Sequence, residues 1–122
     1  MAPSQFLVAA LVHWFERMGI RDGRLLVAVS GGLDSVALLQ LLNRVKETAP
    51  AKISHLSVAH IDHRFREESV DDARFVNGVS AELGLDFYCE ALPERPPKTN
   101  LEAWARKERY ERLEHFRQRS NC

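Results

Sequence analysis

Apolar positions along the chain recur first at helical and then at strand spacing, and the switches between the two set out its elements. Leu7, Leu11, Trp14 and Met18 recur every three or four residues, which predicts an amphipathic first helix. Arg21-Asp22-Gly23 marks a turn, and residues 25–29, LLVAV, form the continuous apolar run of a strand buried on both faces. Helical spacing then returns over residues 34–47: Val36, Leu39, Leu42 and Val45 repeat, Leu38 and Leu41 widen the stripe, and Ala49-Pro50 ends it. Residues 53–61, ISHLSVAHI, are β-branched and apolar at alternate positions and predict a second strand, followed by the polar loop DHRFREES. Ser69 with Asp71 and Asp72 behind it opens a third helix, because the hydroxyl caps free amides and the acids face the positive helix end. Phe75, Val76, Val79 and Leu83 make its buried side, and Gly84 closes it. DFYCEA reads as a short third strand, and Pro93, Pro96 and Pro97 enforce a loop. Thr99-Asn100-Leu101-Glu102 offers a capping box for a last helix through about Gln118, supported by Glu102 with Arg106 and Glu108 with Arg112.

Strand alternating with helix implies an α/β fold, a parallel sheet with helices on its faces joined by right-handed crossovers. Ligands of such sheets bind beyond the carboxyl ends of the strands, where both the junction at residues 29–35 and the DHRFREES loop fall. At 122 residues and 45% hydrophobic the chain suffices for one globular domain or part of one. Its formal net charge of zero excludes a global basic field, so any nucleic-acid contact is local. Cys89 and Cys122 show no CxxC or metal spacing and suit a reducing cytosol. The first twenty residues lack the basic start of a leader, and no run approaches the roughly 18 apolar residues a membrane span needs, so a soluble, cytoplasmic protein is expected.

The junction Val29-Ser30-Gly31-Gly32-Leu33-Asp34-Ser35 carries the chemistry. Two glycines let the backbone turn sharply and approach a ligand, while the next helix presents unpaired N–H groups and a partial positive charge, which together make an anion site. Ser30 and Ser35 add hydroxyls. Asp34 is a poor neighbour for a bare phosphate but fits one that arrives with Mg2+, which points to a metal-bound nucleotide. The motif is neither G-x-x-x-x-G-K-[ST] nor G-x-G-x-x-G. The plainer alternative is a Gly-Gly turn with Asp34 as a helix cap. His60 and His63 are spaced H-x-x-H, but with no cysteine or third ligand nearby they are not assigned to a metal. Arg106 and Arg109 lie one turn apart on one helix face, which by itself also describes a solvated charged surface.

S-G-G-x-D-S after an apolar strand resembles the PP-loop of the ATP pyrophosphatases, which cleave ATP to AMP and pyrophosphate. Two further segments narrow the resemblance to the tRNA(Ile)-lysidine synthetases. AHIDHRFREES followed by acids and A-x-F-V is similar to their H-x-N-H-x-L-R-x-E-S segment at His60, His63, Arg66, Glu68, Ser69, Ala73, Phe75 and Val76, with Asp62, Arg64 and Phe65 departing from it. NLEAWARKERYERLEHF resembles S-x-E-x-x-A-R-x-x-R-Y-x-F-L at Glu102, Ala105, Arg106, Arg109, Tyr110 and Leu113. What the resemblance implies is a PP-loop ATP pyrophosphatase fold with strand order approximately 3-2-1-4-5. It implies ATP and Mg2+ as cofactors, with Ser30, Gly31, Gly32, Leu33, Asp34, Ser35 and His60 binding the nucleotide and Asp34 holding the metal. Arg106 and Arg109 join Asp34 as catalytic residues meeting phosphates or tRNA.

The implied reaction adenylates the wobble cytidine of an isoleucine tRNA, after which free lysine displaces AMP. Two alternatives stay open, a related tRNA thiolase of the same superfamily and an ATP-binding module without catalysis. Family members continue into another strand carrying H-H-x-x-D-Q-x-E-T and then tRNA-binding domains, so the resemblance implies that residues 1–122 are the N-terminal portion of such a protein, one helix and three strand-helix units. It also implies an exposed border at residues 25–29 and self-association, as a homo-oligomer, through that sheet edge.

Overall fold

A computed structural model describes residues 3–62, 69–93 and 100–122. Along them run α1 (Pro3–Arg17), β1 (Gly23–Ala28), α2 (Leu33–Thr48), β2 (Ile53–Asp62), α3 (Ser69–Leu83), β3 (Asp86–Ala91) and α4 (Leu101–Arg119). The three strands are parallel and ordered β1-β2-β3, with Val27 opposite Val58 and Val58 opposite Phe87. Because side chains alternate along a strand, Leu25, Val27, Leu56, Val58 and Phe87 share one face, and Leu26, Ala28, Ala59, Ile61 and Tyr88 share the other. The first face packs with α1, α2 and α3 around Phe15, Leu39, Val45 and Val76. The second is covered by α4 through Ala105 and Phe116. This is the expected α/β sheet with helices on both faces.

Coverage is uneven, and the strand identities follow from it. Every residue from 56 to 61 of β2 is buried, including Ser57 and His60. Burial obliges those polar side chains to find partners, and Ser57 Oγ lies 2.8 Å from His55 Nε2. β1, the most apolar run, is not buried on both faces as its composition suggested. It stands at the sheet border, so Leu25 and Leu26 are half-buried and Ala28 is exposed.

The helix stripes also need correction. On α1 the inward side is Val8, Leu11, Val12 and Phe15, whereas Leu7, Trp14 and Met18 face solvent. That helix packs along α2 on one side only, and of the expected stripe only Leu11 falls within the contact. On α2, Val36, Leu39, Leu42 and Val45 are buried as read, but Leu38 is 45% exposed. On α3, Val76 is buried with Val79 and Leu83 against the core, while Phe75 turns outward. Gly84 closes α3 with φ +70°, a left-handed conformation that suits glycine. At the start of α4 the cap is Asn100, whose side chain accepts from the Ala103 amide at 3.1 Å. Glu108 pairs with Arg112 as expected.

The narrower α2 stripe is directly testable. Leu39→Ala, at a site with no exposed surface, is expected to destabilise the chain by about 2–5 kcal/mol. Leu38→Ala, half in solvent, should cost under about 1 kcal/mol. Denaturant unfolding of the two variants measures the difference, and equal losses would refute the observed packing.

Candidate functional site

The strand-to-helix junction folds back on its own hydroxyls. Val29 is buried and its amide still donates to the Ala59 carbonyl at 2.8 Å, continuing the ladder one residue past β1. The Ser30 amide then donates to Ser35 Oγ at 3.2 Å, the two hydroxyl oxygens lie 3.1 Å apart, and Ser35 Oγ donates to the Gly32 carbonyl at 3.1 Å. A hydroxyl has one hydrogen, so with Ser35 donating to Gly32 the proton between the serines comes from Ser30. Ser30 Oγ in turn accepts from the Gly32 amide at 3.3 Å. These bonds are long for their types.

The start of α2 differs from the start of α4. Gly32 occupies its N-cap in extended conformation and makes no side-chain cap hydrogen bond, whereas Asn100 closes α4. Among the described residues no side chain caps the first turn of α2, whose leading amides lie beyond the intrahelical ladder. Asp34 lies in that first turn, exposed, and is not the cap. Gly31 has φ +95°, and a Cβ placed on it would stand 3.3 Å from Asp72 Cβ. The loop thus rests against the first turn of α3, and only glycine allows both the conformation and the approach. Leu33 is 87% exposed, so what it offers a ligand is its backbone.

His60 is buried, and its Nδ1 lies 2.7 Å from the Val29 carbonyl. A carbonyl only accepts, so Nδ1 carries the proton. His60 therefore supports the root of the loop from β2. Asp62 ends that strand, and burial first and its carboxylate second push the Cys89 thiol up.

Arg106 and Arg109 are brought together around Tyr110, with guanidinium carbons 5.6 and 5.3 Å from the ring centroid. No hydrogen bond or ion pair joins either arginine to residues 30–35 among the described residues. Tyr110 lines a cleft of about 350 Å³ between α4 and the border of β1, with Leu26, Ala28, Leu113 and Arg117 among its walls. His63, Arg66 and Glu68 lie outside the described residues. Among the described residues no group of three or more His, Cys, Asp or Glu is arranged to hold a metal ion, and no helix is long and apolar enough to cross a membrane.

A Gly-Gly loop lined by hydroxyls at the carboxyl end of the first strand of a parallel sheet stands where α/β proteins bind their ligands, and the family follows: residues 6–122 match the PP-loop domain model, and the chain belongs to that family. Its curated relatives are more particular. It is similar to the tRNA(Ile)-lysidine synthase of Synechococcus sp., 44% identical over 91 residues, 75% of this chain and 26% of the relative. The Gloeobacter violaceus enzyme of the same name is 46% identical over 92 residues, 75% and 26% of the two chains. The Nostoc sp. enzyme is 40% identical over 109 residues, 89% and 29%. The chain spans about a quarter of the length of these relatives.

One support of the loop escaped the motif reading. Asp72 reads from the sequence only as a first-turn acid of α3, and its contact with Gly31 needs the crossover that brings α3 beside the loop. The arginine clamp on Tyr110 was legible as i−4 and i−1 spacing on one helix. Hydrogen bonding from Arg106 first, and its charge next, with Arg109 adding to both, holds the Tyr110 phenol below the usual tyrosine range. Its ionised form is thus favoured in the folded chain, so the clamp adds stability above the ordinary value of about 10 and loses it as pH falls through the lowered one. With only two tyrosines in the chain, an ultraviolet titration should show one early transition, lost in Tyr110→Phe and moved upward in Arg106→Ala. Coincident titration of both tyrosines would contradict the clamp.

Proposed function

We propose that residues 30–35 bind the pyrophosphate end of Mg2+-bound ATP and that the chain serves conversion of the wobble cytidine of an isoleucine tRNA to lysidine, with free lysine as the second substrate, in the cytoplasm. One observation carries the reading: an uncapped, hydroxyl-lined start of α2 in a PP-loop chain whose relatives, 36–46% identical, are named tRNA(Ile)-lysidine synthase. The residues fit the ligands. Ser30, Gly31, Gly32, Leu33 and Ser35 offer hydroxyls and amides to phosphate oxygens, and Asp34 offers the hard oxygen that Mg2+ prefers.

In this reading the cytidine O2 attacks the α-phosphorus of ATP and pyrophosphate leaves. The ε-amine of lysine then attacks C2, and AMP departs with the oxygen. The cytidine oxygen is a weak nucleophile, so the work falls on positioning and on stabilising charge on the leaving pyrophosphate. The loop amides and both serines would hold that charge from one side, and Asp34 would hold a Mg2+ ion, whose chemistry when bound is partial neutralisation of phosphate charge. Arg106 and Arg109 are the cations assigned to phosphates or tRNA from α4. A thiolase is less well supported, because Cys89 and Cys122 show no CxxC spacing that would hold sulfur or a cluster.

Calorimetry with ATP and Mg2+ tests the site. Asp34→Ala is expected to weaken binding at least about tenfold, the scale of one lost charged contact, and Asp71→Ala, exposed on α3, should leave it unchanged. Equal affinities would remove Asp34. ATP-dependent pyrophosphate release that requires the tRNA supports the enzyme, whereas binding without such release favours a nucleotide-binding module.

Self-association through β1 belongs to the same proposal. The strand stands at the sheet border, and LLVAV carries no charge or proline to discourage pairing. Light scattering at micromolar concentration should give a mass above the 13.9 kDa of one chain, and a clean monomer would overturn this part.

A further inference from the structure

We infer that His60 is a positioning residue of the nucleotide loop, acting through the Val29–Ser30 peptide and not on the nucleotide itself. The inference rests on residues 30–35 being the nucleotide site. Paired register between β1 and β2 ends at Ala28 opposite Ala59. One residue further on, the Val29 amide keeps its ladder bond to Ala59, but the Val29 carbonyl is held by the His60 imidazole at 2.7 Å. A side chain of β2 has taken the place of a ladder donor at the point where the chain leaves the sheet.

That carbonyl belongs to the same planar unit as the Ser30 amide. In a trans peptide the C=O and N–H point in opposite directions, so fixing one fixes the other. Holding the oxygen toward His60 aims the Ser30 N–H at Ser35 Oγ, 3.2 Å away, and the Ser35 hydroxyl in turn donates to the Gly32 carbonyl at 3.1 Å. A relay thus runs from β2 to the first turn of α2: His60 Nδ1–H to Val29 C=O, Ser30 N–H to Ser35 Oγ, Ser35 Oγ–H to Gly32 C=O. His60 is 3% exposed on the most buried strand, so its ring is a fixed point. Were the peptide to rotate, Ser30 N–H would leave Ser35, and both hydroxyls would lose the positions from which they meet phosphate.

The assignment is specific to one ring nitrogen, which makes it testable. The amide nitrogen of asparagine reaches roughly the place of Nδ1, and that of glutamine the place of Nε2. Binding of ATP with Mg2+ to the 122-residue chain, measured by calorimetry alongside thermal unfolding, should therefore separate His60→Asn from His60→Gln. We expect His60→Asn to stay within about threefold of wild type and His60→Gln to fall at least about tenfold, the scale of one hydrogen bond to a buried carbonyl left unmade. The reverse order, or equal affinities, overturns the inference in favour of direct contact through Nε2 or of no role. A second measurement needs neither ATP nor a variant that folds. Nitrogen-15 NMR of the wild-type imidazole should show the Nδ1–H tautomer, with the Ser30 amide slow to exchange, and an Nε2–H tautomer overturns the inference. If wild type binds no ATP, the nucleotide reading fails while the ring tautomer still decides whether His60 holds the loop.

Discussion

Double-sided burial of β2 is the constraint from which the other arrangements follow. With neighbours on both edges and helices on both faces, residues 56–61 are all buried, and Val58 and Ala59 belong to the two apolar clusters on opposite faces. A strand so placed tolerates a polar side chain only if that side chain is bonded, because an unsatisfied buried donor costs about 1–3 kcal/mol. Ser57 meets His55 within the strand, while His60 reaches across to β1. The second of these bonds converts a packing requirement into a loop geometry. The strand that organises the core thereby also organises the site.

The same accounting separates the two helix starts. α4 closes its first turn with Asn100, and its flanks carry ion pairs, Arg112 with Glu108 and Glu90 and Arg117 with Glu114. α2 has no such closure, and its loop bonds to itself at 3.1–3.3 Å. An uncapped first turn weakens a helix by about 1 kcal/mol. Here Val36, Leu39, Leu42 and Val45 hold α2 against the sheet regardless, so the open end is maintained by tertiary packing and stays available to an anion.

Much of this was legible in the residues. Parallel strands, helix order and the glycine loop follow from periodicity and from S-G-G-x-D-S, because those signals are local and strong. Which side of each helix is buried was less legible. α1 is apolar on several sides, so spacing allowed the stripe through Leu7, Trp14 and Met18, but the one contact with α2 selects Val8, Leu11, Val12 and Phe15. Leu38 and Phe75 failed for the same reason, since a three-stranded sheet leaves each helix less surface to cover than its apolar stripe is wide. In the site, the loop residues were legible and their supports were not. Asp72 and His60 meet the loop only through the crossover and the strand register, which no spacing within either segment encodes.

The arginines of α4 mark where the described fold stops explaining its own residues. Arg112 and Arg117 are bound to glutamates, a sufficient account of a charged helix surface. Arg106 and Arg109 instead flank Tyr110, a half-exposed ring that offers no full charge at neutral pH. Aromatic contact fixes the two guanidinium groups at modest cost in hydration and leaves them, among the described residues, without an acidic partner. A helix built only to cover the sheet would gain more from pairing those arginines with acids, as it does one turn later. Two cations held in place without an acidic partner among the described residues are suited to a polyanionic ligand, and the ring between them lines the same cleft as Ala28, one residue before Val29 carries the chain into the glycine loop.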